Sequence, residues 1–212
     1  MEYETLLKLI GEDPLFESSL LFAGNINPKI VRLQLNRWVN SGRIYQLRRG
    51  LYAIAPPYQK MKPHPFLVAN RLQRASYVSL QSALSFYGLI PETVNRTTSV
   101  STGRPERLQT PLGSYEFRHI RPGLLFGYQM TALGGQNAFV ATPEKALLDL
   151  IYLQSGGGSM NYLNELRLQN LNNLDLYLLK KQAEIFDSPK MRMALNGISQ
   201  LILGETNEYE EL

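Results

Sequence analysis

The stretch Leu35-Asn-Arg-Trp-Val-Asn-Ser-Gly-Arg-Ile-Tyr-Gln-Leu-Arg-Arg-Gly-Leu-Tyr-Ala-Ile54 holds the end of an amphipathic helix and the whole of a tight hairpin. Upstream, Asn27 suits a helix cap and Pro28 the first helical position, so the helix runs to about Ser41 and stops at Gly42. Val31, Leu35, Trp38 and Val39 share one face. Lys29, Arg32 and Asn36, spaced by three and four, share another, with Gln34 and Arg37 alongside. After Gly42, Arg43-Ile-Tyr-Gln-Leu and Leu51-Tyr-Ala-Ile are short β-prone runs separated by Arg48-Arg49-Gly50, a hairpin with a basic tip.

Toward the N-terminus, Leu6, Leu7 and Ile10 have helical spacing before Gly11 and Pro14. A second short helix is expected around Leu15, Phe16, Leu20 and Leu21, followed by a turn at Gly24-Asn25. Three helices and then a hairpin is the order of a winged helix-turn-helix. Charge agrees with that order. Between Glu17 and Glu92 there is no acidic residue, while Lys29, Arg32, Arg37, Arg43, Arg48 and Arg49 all fall in the window. A helix in the major groove presents donors to base edges, so Arg32 and Asn36 are the base-reading candidates. Lys29, Arg37 and Arg43 suit phosphates, Gln34 lies beside them, and Arg48 with Arg49 can follow the backbone or enter a minor groove.

Toward the C-terminus, Pro56-Pro57, Lys60, Lys62, Pro63 and Pro65 mark a boundary. The expected fold is α+β: a winged helix-turn-helix over 1–62, then a larger mixed α/β domain over 63–204 that ends in helices. An acidic tail, 205–212, is read as frayed. Within the second domain, helices are expected at 66–74 and 80–87, β-structure over 97–141, and a helix opened by Thr142-Pro143 that runs to Leu153. The triplet Gly156-Gly157-Gly158 reads as a linker, and Ser188-Pro189 opens a last helix. Lys145 and Asp149, one turn apart opposite Leu147, Leu150 and Ile151, read as a surface ion pair over a core helix. Tyr77, Tyr115, Phe117 and Tyr128 read as core before they read as a stacking platform, and Arg104, Arg107, Arg118 and Arg121 as solvated charge before a second basic patch.

Composition argues against an enzyme. The 212 residues include no cysteine and two histidines, His64 and His119, neither with a second ligand at metal-like spacing. No lysine follows a glycine-rich phosphate loop, and Glu92, Glu106, Glu116, Glu144 and Asp149 are not paired by any motif. No metal or cofactor is expected. The chain has no apolar run of membrane-spanning length, and its acidic, amphipathic start is unlike a signal peptide, so a cytoplasmic protein is expected.

The segment 35–54 resembles the winged-helix part of AbiEi-type antitoxins of type IV toxin-antitoxin systems. Tyr77-Val-Ser-Leu-Gln-Ser-Ala-Leu84, Gly88-Leu-Ile-Pro91 and Ala141-Thr-Pro-Glu-Lys-Ala-Leu-Leu-Asp-Leu-Ile-Tyr152 resemble motifs of the C-terminal part of the same family. The resemblance touches most of residues 15 to 155. It implies an abortive-infection, or phage-defence, antitoxin whose N-terminal domain represses its own promoter, usually on inverted repeats in double-stranded DNA. The C-terminal domain is implied to counter a nucleotidyltransferase-like toxin, directly or indirectly. Two copies are expected on such DNA. The alternative is a stand-alone winged-helix transcription factor whose C-terminal domain senses a ligand or binds a protein.

Overall fold

Helix α1 (Tyr3–Ile10) buries Leu6 and Ile10, as the spacing predicts. In this computed structural model, which describes residues 2–22, 27–92 and 94–210, the next segment departs from expectation. Leu15 to Leu21 is not a helix: strand β1 (Leu15–Glu17) leads into a 3-10 turn, Ser18–Phe22. Strand pairing explains the difference, because Leu15, Phe16 and Glu17 lie opposite Ala53, Tyr52 and Leu51, and cross-strand packing overrides local preference. The turn expected at Gly24-Asn25 lies outside the described residues.

Helix α2 (Pro28–Asn40) follows the local rules closely. Asn27 Oδ1 accepts the Lys29 N–H at 2.9 Å, Pro28 stands at the helix start, and Gly42 takes a left-handed φ of 68° just past the end. Strands β2 (Ile44–Arg48) and β3 (Leu51–Ile54) form the hairpin, and the three-stranded sheet has the order β1-β3-β2.

This small sheet is buried on both faces. Phe16, Ile44, Tyr52 and Ile54 pack with Leu6, Val31, Leu35 and Trp38 in an N-terminal core. The alternate residues Leu15, Leu47, Leu51 and Ala53 belong instead to the large core of the rest of the chain. Period-two alternation therefore sends neighbouring side chains into different cores, which is why all four residues of β3 are buried.

The connection is held as well. His64 N–H donates to Gln136 Oε1 at 2.8 Å, and Gln136 Nε2 donates to the Lys62 carbonyl at 2.9 Å. Helix α3 (Pro65–Leu72) is capped by His64, whose Nδ1 accepts the Phe66 N–H. Strand β4 (Ser76–Val78), helix α4 (Leu80–Phe86) and strands β5 (Arg96–Ser101), β6 (Glu106–Thr110), β7 (Gly113–His119), β8 (Tyr128–Leu133) and β9 (Gln136–Ala141) follow. They build a six-stranded mixed sheet, β6-β7-β5-β4-β9-β8, in which β4 runs parallel to β9 and β5 parallel to β7. The expected β-rich middle is present, but β4, between the two predicted helices, joins it from outside.

Helices α5 (Pro143–Leu153), α6 (Met160–Glu165), α7 (Leu176–Ile185) and α8 (Pro189–Glu210) complete an α+β fold. Thr142 caps α5 through its hydroxyl, which accepts the Lys145 N–H, as the Thr-Pro start predicts. Two expectations fail here. Helix α8 continues to Glu210, so residues 205–210 are helical rather than a frayed tail. The glycine triplet is a close-packed turn and not a linker: a Cβ on Gly157 would strike the Ile151 carbonyl, and one on Gly158 would lie 2.6 Å from the Lys190 carbonyl.

Candidate nucleic-acid interface

Helix α2 buries Val31, Leu35 and Trp38 against the N-terminal core, which fixes the opposite surface outward. Lys29, Arg32, Asn36 and Arg37 are all exposed on it. Arg48 ends β2 and Arg49 begins the tip, both exposed. Ser18 N–H donates to the Gly50 carbonyl at 2.8 Å, which ties the tip to the start of the 3-10 turn. The result is a concavity of about 470 Å³ in which Arg32, Asn36 and Arg49 meet beside Ser18, Phe22 and Tyr52. Helix face and hairpin tip, separate in sequence, thus form one surface.

Of the eight sequence candidates, Arg32, Asn36 and Arg49 line the concavity, Lys29, Arg37 and Arg48 are exposed on α2 and β2, and two stand apart. Gln34 is half-buried. It lies two residues from both Arg32 and Asn36, and two residues turn an α-helix by about 200°, so its side chain leaves the outward face. Arg43 is exposed, but its guanidinium lies 5.2 Å from the centre of the Tyr3 ring, and the Tyr3 hydroxyl donates to the Arg43 carbonyl. It braces α1 against the end of α2. Among the described residues, no ion pair involves Lys29, Arg32, Arg37, Arg48 or Arg49. Their charge is open to an external partner.

Ile30 and Leu33 were not singled out from sequence, yet they are 61% and 53% exposed on the same helix. Isolated apolar side chains between donors suit the methyl group of thymine in a major groove. The signal was there: both are apolar positions off the Val31-Leu35-Trp38 packing stripe.

The charged residues of the other resembling motif are arranged quite differently. Lys145 and Asp149 are 0% exposed and paired with each other, so the expected surface ion pair is a core pair. Asp149 Oδ2 accepts from the Tyr77 and Ser79 hydroxyls, each at 2.9 Å, and Lys145 Nζ donates to the Tyr77 oxygen at 3.0 Å. The ammonium also lies 4.8 and 5.0 Å from the Phe126 and Phe186 ring centres. Burial pushes the Asp149 carboxyl up and the Lys145 ammonium down, and their mutual attraction opposes both. The β4–α4 junction beside this cluster turns at Leu80, whose φ of 59° is strained for a γ-branched residue. Glu144, next along α5, accepts the Asp175 N–H at 3.0 Å and so ties α5 to the start of α7.

The remaining candidates are used locally. Glu92 pairs with Arg167, and Glu116 with Arg96 and Arg107. Arg118 donates to the Leu153 carbonyl and Arg121 lies over the Tyr152 ring. His119 Nδ1 is 2.9 Å from the Gly103 carbonyl. Tyr77, Tyr115 and Phe117 are core residues, whereas Tyr128 is exposed. Among the described residues no group of three or more histidines and carboxylates is placed to hold a metal, and no helix is long and apolar enough to cross a membrane. Compared with known proteins, the sequence matches no family profile and no curated protein.

Proposed function

We propose that this chain is a DNA-binding transcriptional repressor that lays α2 in the major groove and sets the β2–β3 tip on the neighbouring backbone. The observation that carries this reading is the single concavity where Arg32 and Asn36 of the helix meet Arg49 of the tip. The element order α1, β1, 3-10 turn, α2, β2, β3 supports a winged helix-turn-helix, with the 3-10 turn in place of the second helix. Arg32 and Asn36 read bases, with Ile30 and Leu33 against thymine methyls; Lys29, Arg37, Arg48 and Arg49 contact phosphates.

The resemblance of 77–84, 88–91 and 141–152 to AbiEi-type antitoxins extends the proposal. The chain acts in the cytoplasm as the antitoxin and autorepressor of a type IV system, two copies occupy inverted repeats, and the C-terminal part counters a nucleotidyltransferase-like toxin. Its work is binding rather than turnover. The test is binding to the DNA upstream of its own gene across a salt series, beside an unrelated duplex of equal length. A preference for the upstream DNA, weakening steeply with salt, supports the proposal. Equal affinity for both duplexes refutes it.

A further inference from the structure

An apolar recess lies far from α2 in sequence, between helix α3 and the edge hairpin β8–β9. Its volume is about 380 Å³, within the range of small-molecule sites. Leu67 forms its helical side, and Tyr128, Met130 and Phe139 form its sheet side. Those three side chains are 38%, 63% and 41% exposed, an unusual concentration of apolar surface on one hairpin. The aromatic geometry is set from beneath. Tyr128 stacks on buried Tyr77, with ring centres 4.6 Å apart and planes 12° from parallel, and it meets Phe139 edge-on at 5.7 Å. Tyr77 is in turn fixed through its hydroxyl by Asp149 and Lys145. An exposed ring held flat in this way is a stacking surface that loses little freedom when a second ring covers it.

Charge selects among the ligands that could stack there. The lining includes Arg71 and Arg74 and no acidic residue, and the Asn70 amide is already committed to the Ser76 and Phe139 backbone. Arg74 already holds a carboxylate: it donates two hydrogen bonds from Nη2 to Glu17, at 2.7 and 2.8 Å. These bonds hold the Glu17 carboxyl below its ordinary range, and Arg71 adds to the effect. Glu17 stands on β1, outside the residues that line the recess, and leaves the apolar floor uncovered.

We infer that this recess binds a small planar aromatic molecule bearing one anionic group, carboxylate or phosphate, with its ring on Tyr128 and Phe139 and its anion on Arg71 and Arg74 in place of Glu17. The site is independent of the DNA-binding reading.

Calorimetric titration of the full chain with 1-naphthoate, 1-naphthyl phosphate, neutral 1-naphthylmethanol and cationic 1-naphthylmethylamine tests it. The two anions bind, and their ratio identifies the preferred group. The neutral analogue binds about tenfold more weakly or worse, as loss of a charge-assisted hydrogen bond predicts, and the cation does not bind. Arg74→Gln weakens the anions by about tenfold, whereas Glu17→Gln, which frees Arg74, strengthens them several-fold. Because Tyr128→Ala disturbs the contact with buried Tyr77, Asn137→Trp on the exposed rim serves as the blocking variant and abolishes binding with the melting temperature unchanged. Equal binding of anion and neutral analogue overturns the inference, as does absence of binding at millimolar concentration. So does concentration-dependent self-association that Met130→Lys removes, since the recess would then be covered by a second copy of the chain.

Discussion

Helices α2 and α5 carry the same kinds of side chain and use them in opposite ways. Both begin with a capped proline, both have an apolar stripe, and both place charged residues one turn apart. On α2 the charges are exposed and none is paired with an acid among the described residues. On α5 the lysine and aspartate are sealed in the core with Tyr77, Ser79 and two phenylalanine rings. What separates them is the breadth of the apolar surface. Residues 144 to 151 are buried all round α5, whereas α2 buries only Val31, Leu35 and Trp38. A charge on a helix is available to a partner only if the helix has a free side.

The sharpest way to break this contrast is to remove charges singly. Lys145→Met or Asp149→Leu leaves an unpaired buried group and is expected to destabilise the protein by about 3–5 kcal/mol, lowering the melting temperature by about 10 °C. The double variant Lys145→Met/Asp149→Leu recovers most of that loss. If the single variants melt at nearly the wild-type temperature, the pair is not a closed core unit.

On α2 the expected losses are in recognition. Arg32→Ala and Asn36→Ala are expected to reduce discrimination between the upstream DNA and an unrelated duplex by about 1–3 kcal/mol, while stability shifts by no more than about 0.5 kcal/mol. Arg48→Ala/Arg49→Ala weakens both duplexes alike and reduces the salt slope by about one for each phosphate that is no longer neutralised. Gln34→Ala leaves discrimination near wild type, and a drop as large as that of Asn36→Ala would place Gln34 on the reading face after all.

A packing effect of similar size is expected where no charge is involved. Gly157→Ala must displace the end of α5 and is expected to cost about 1–3 kcal/mol, against a smaller change for Gly123→Ala, whose added Cβ meets nothing. Thermal melts of the two variants decide this.

The smallest effect concerns pH. Hydrogen bonds from Arg74 and Arg167 hold the Glu17 and Glu92 carboxyls below their ordinary value of 4.5. A carboxyl lowered in the folded state contributes stability that is complete above its unfolded value and fades as pH falls below it. The melting temperature should therefore decline below about pH 4.5, and Glu17→Gln/Glu92→Gln should flatten that decline. An unchanged slope would assign the acid sensitivity to other groups.

Legibility in the sequence followed the range of the interactions. Asn27, Pro28 and Gly42 bound α2 through bonds to their own neighbours, and Thr142-Pro143 opens α5 in the same way, so these elements could be read locally. Strand β1 could not, because Leu15 to Glu17 become a strand only by pairing with Leu51 to Ala53. The same holds for the Lys145–Asp149 pair, whose spacing gives no sign that Tyr77, Phe126 and Phe186 close over it. The glycine triplet looked like slack because the Ile151 and Lys190 carbonyls that forbid a side chain there are invisible in composition. On the outward face of α2, charges and spacing were legible, but Gln34 needed the helical angle, and Ile30 and Leu33 needed their exposure.

The double-sided burial of the β1-β3-β2 sheet bears on how the chain is born. Synthesis proceeds from the N-terminus at roughly 5–20 residues per second, so the hairpin leaves the ribosome several seconds before the last helices. During that interval Phe16, Tyr52 and Ile54 can settle against α1 and α2, while Leu15, Leu47, Leu51 and Ala53 face water with no core to join. A message cut short after the hairpin would release a fragment with a sticky sheet face, prone to aggregate. Burial of the second sheet face is thereby tied to completion of the chain.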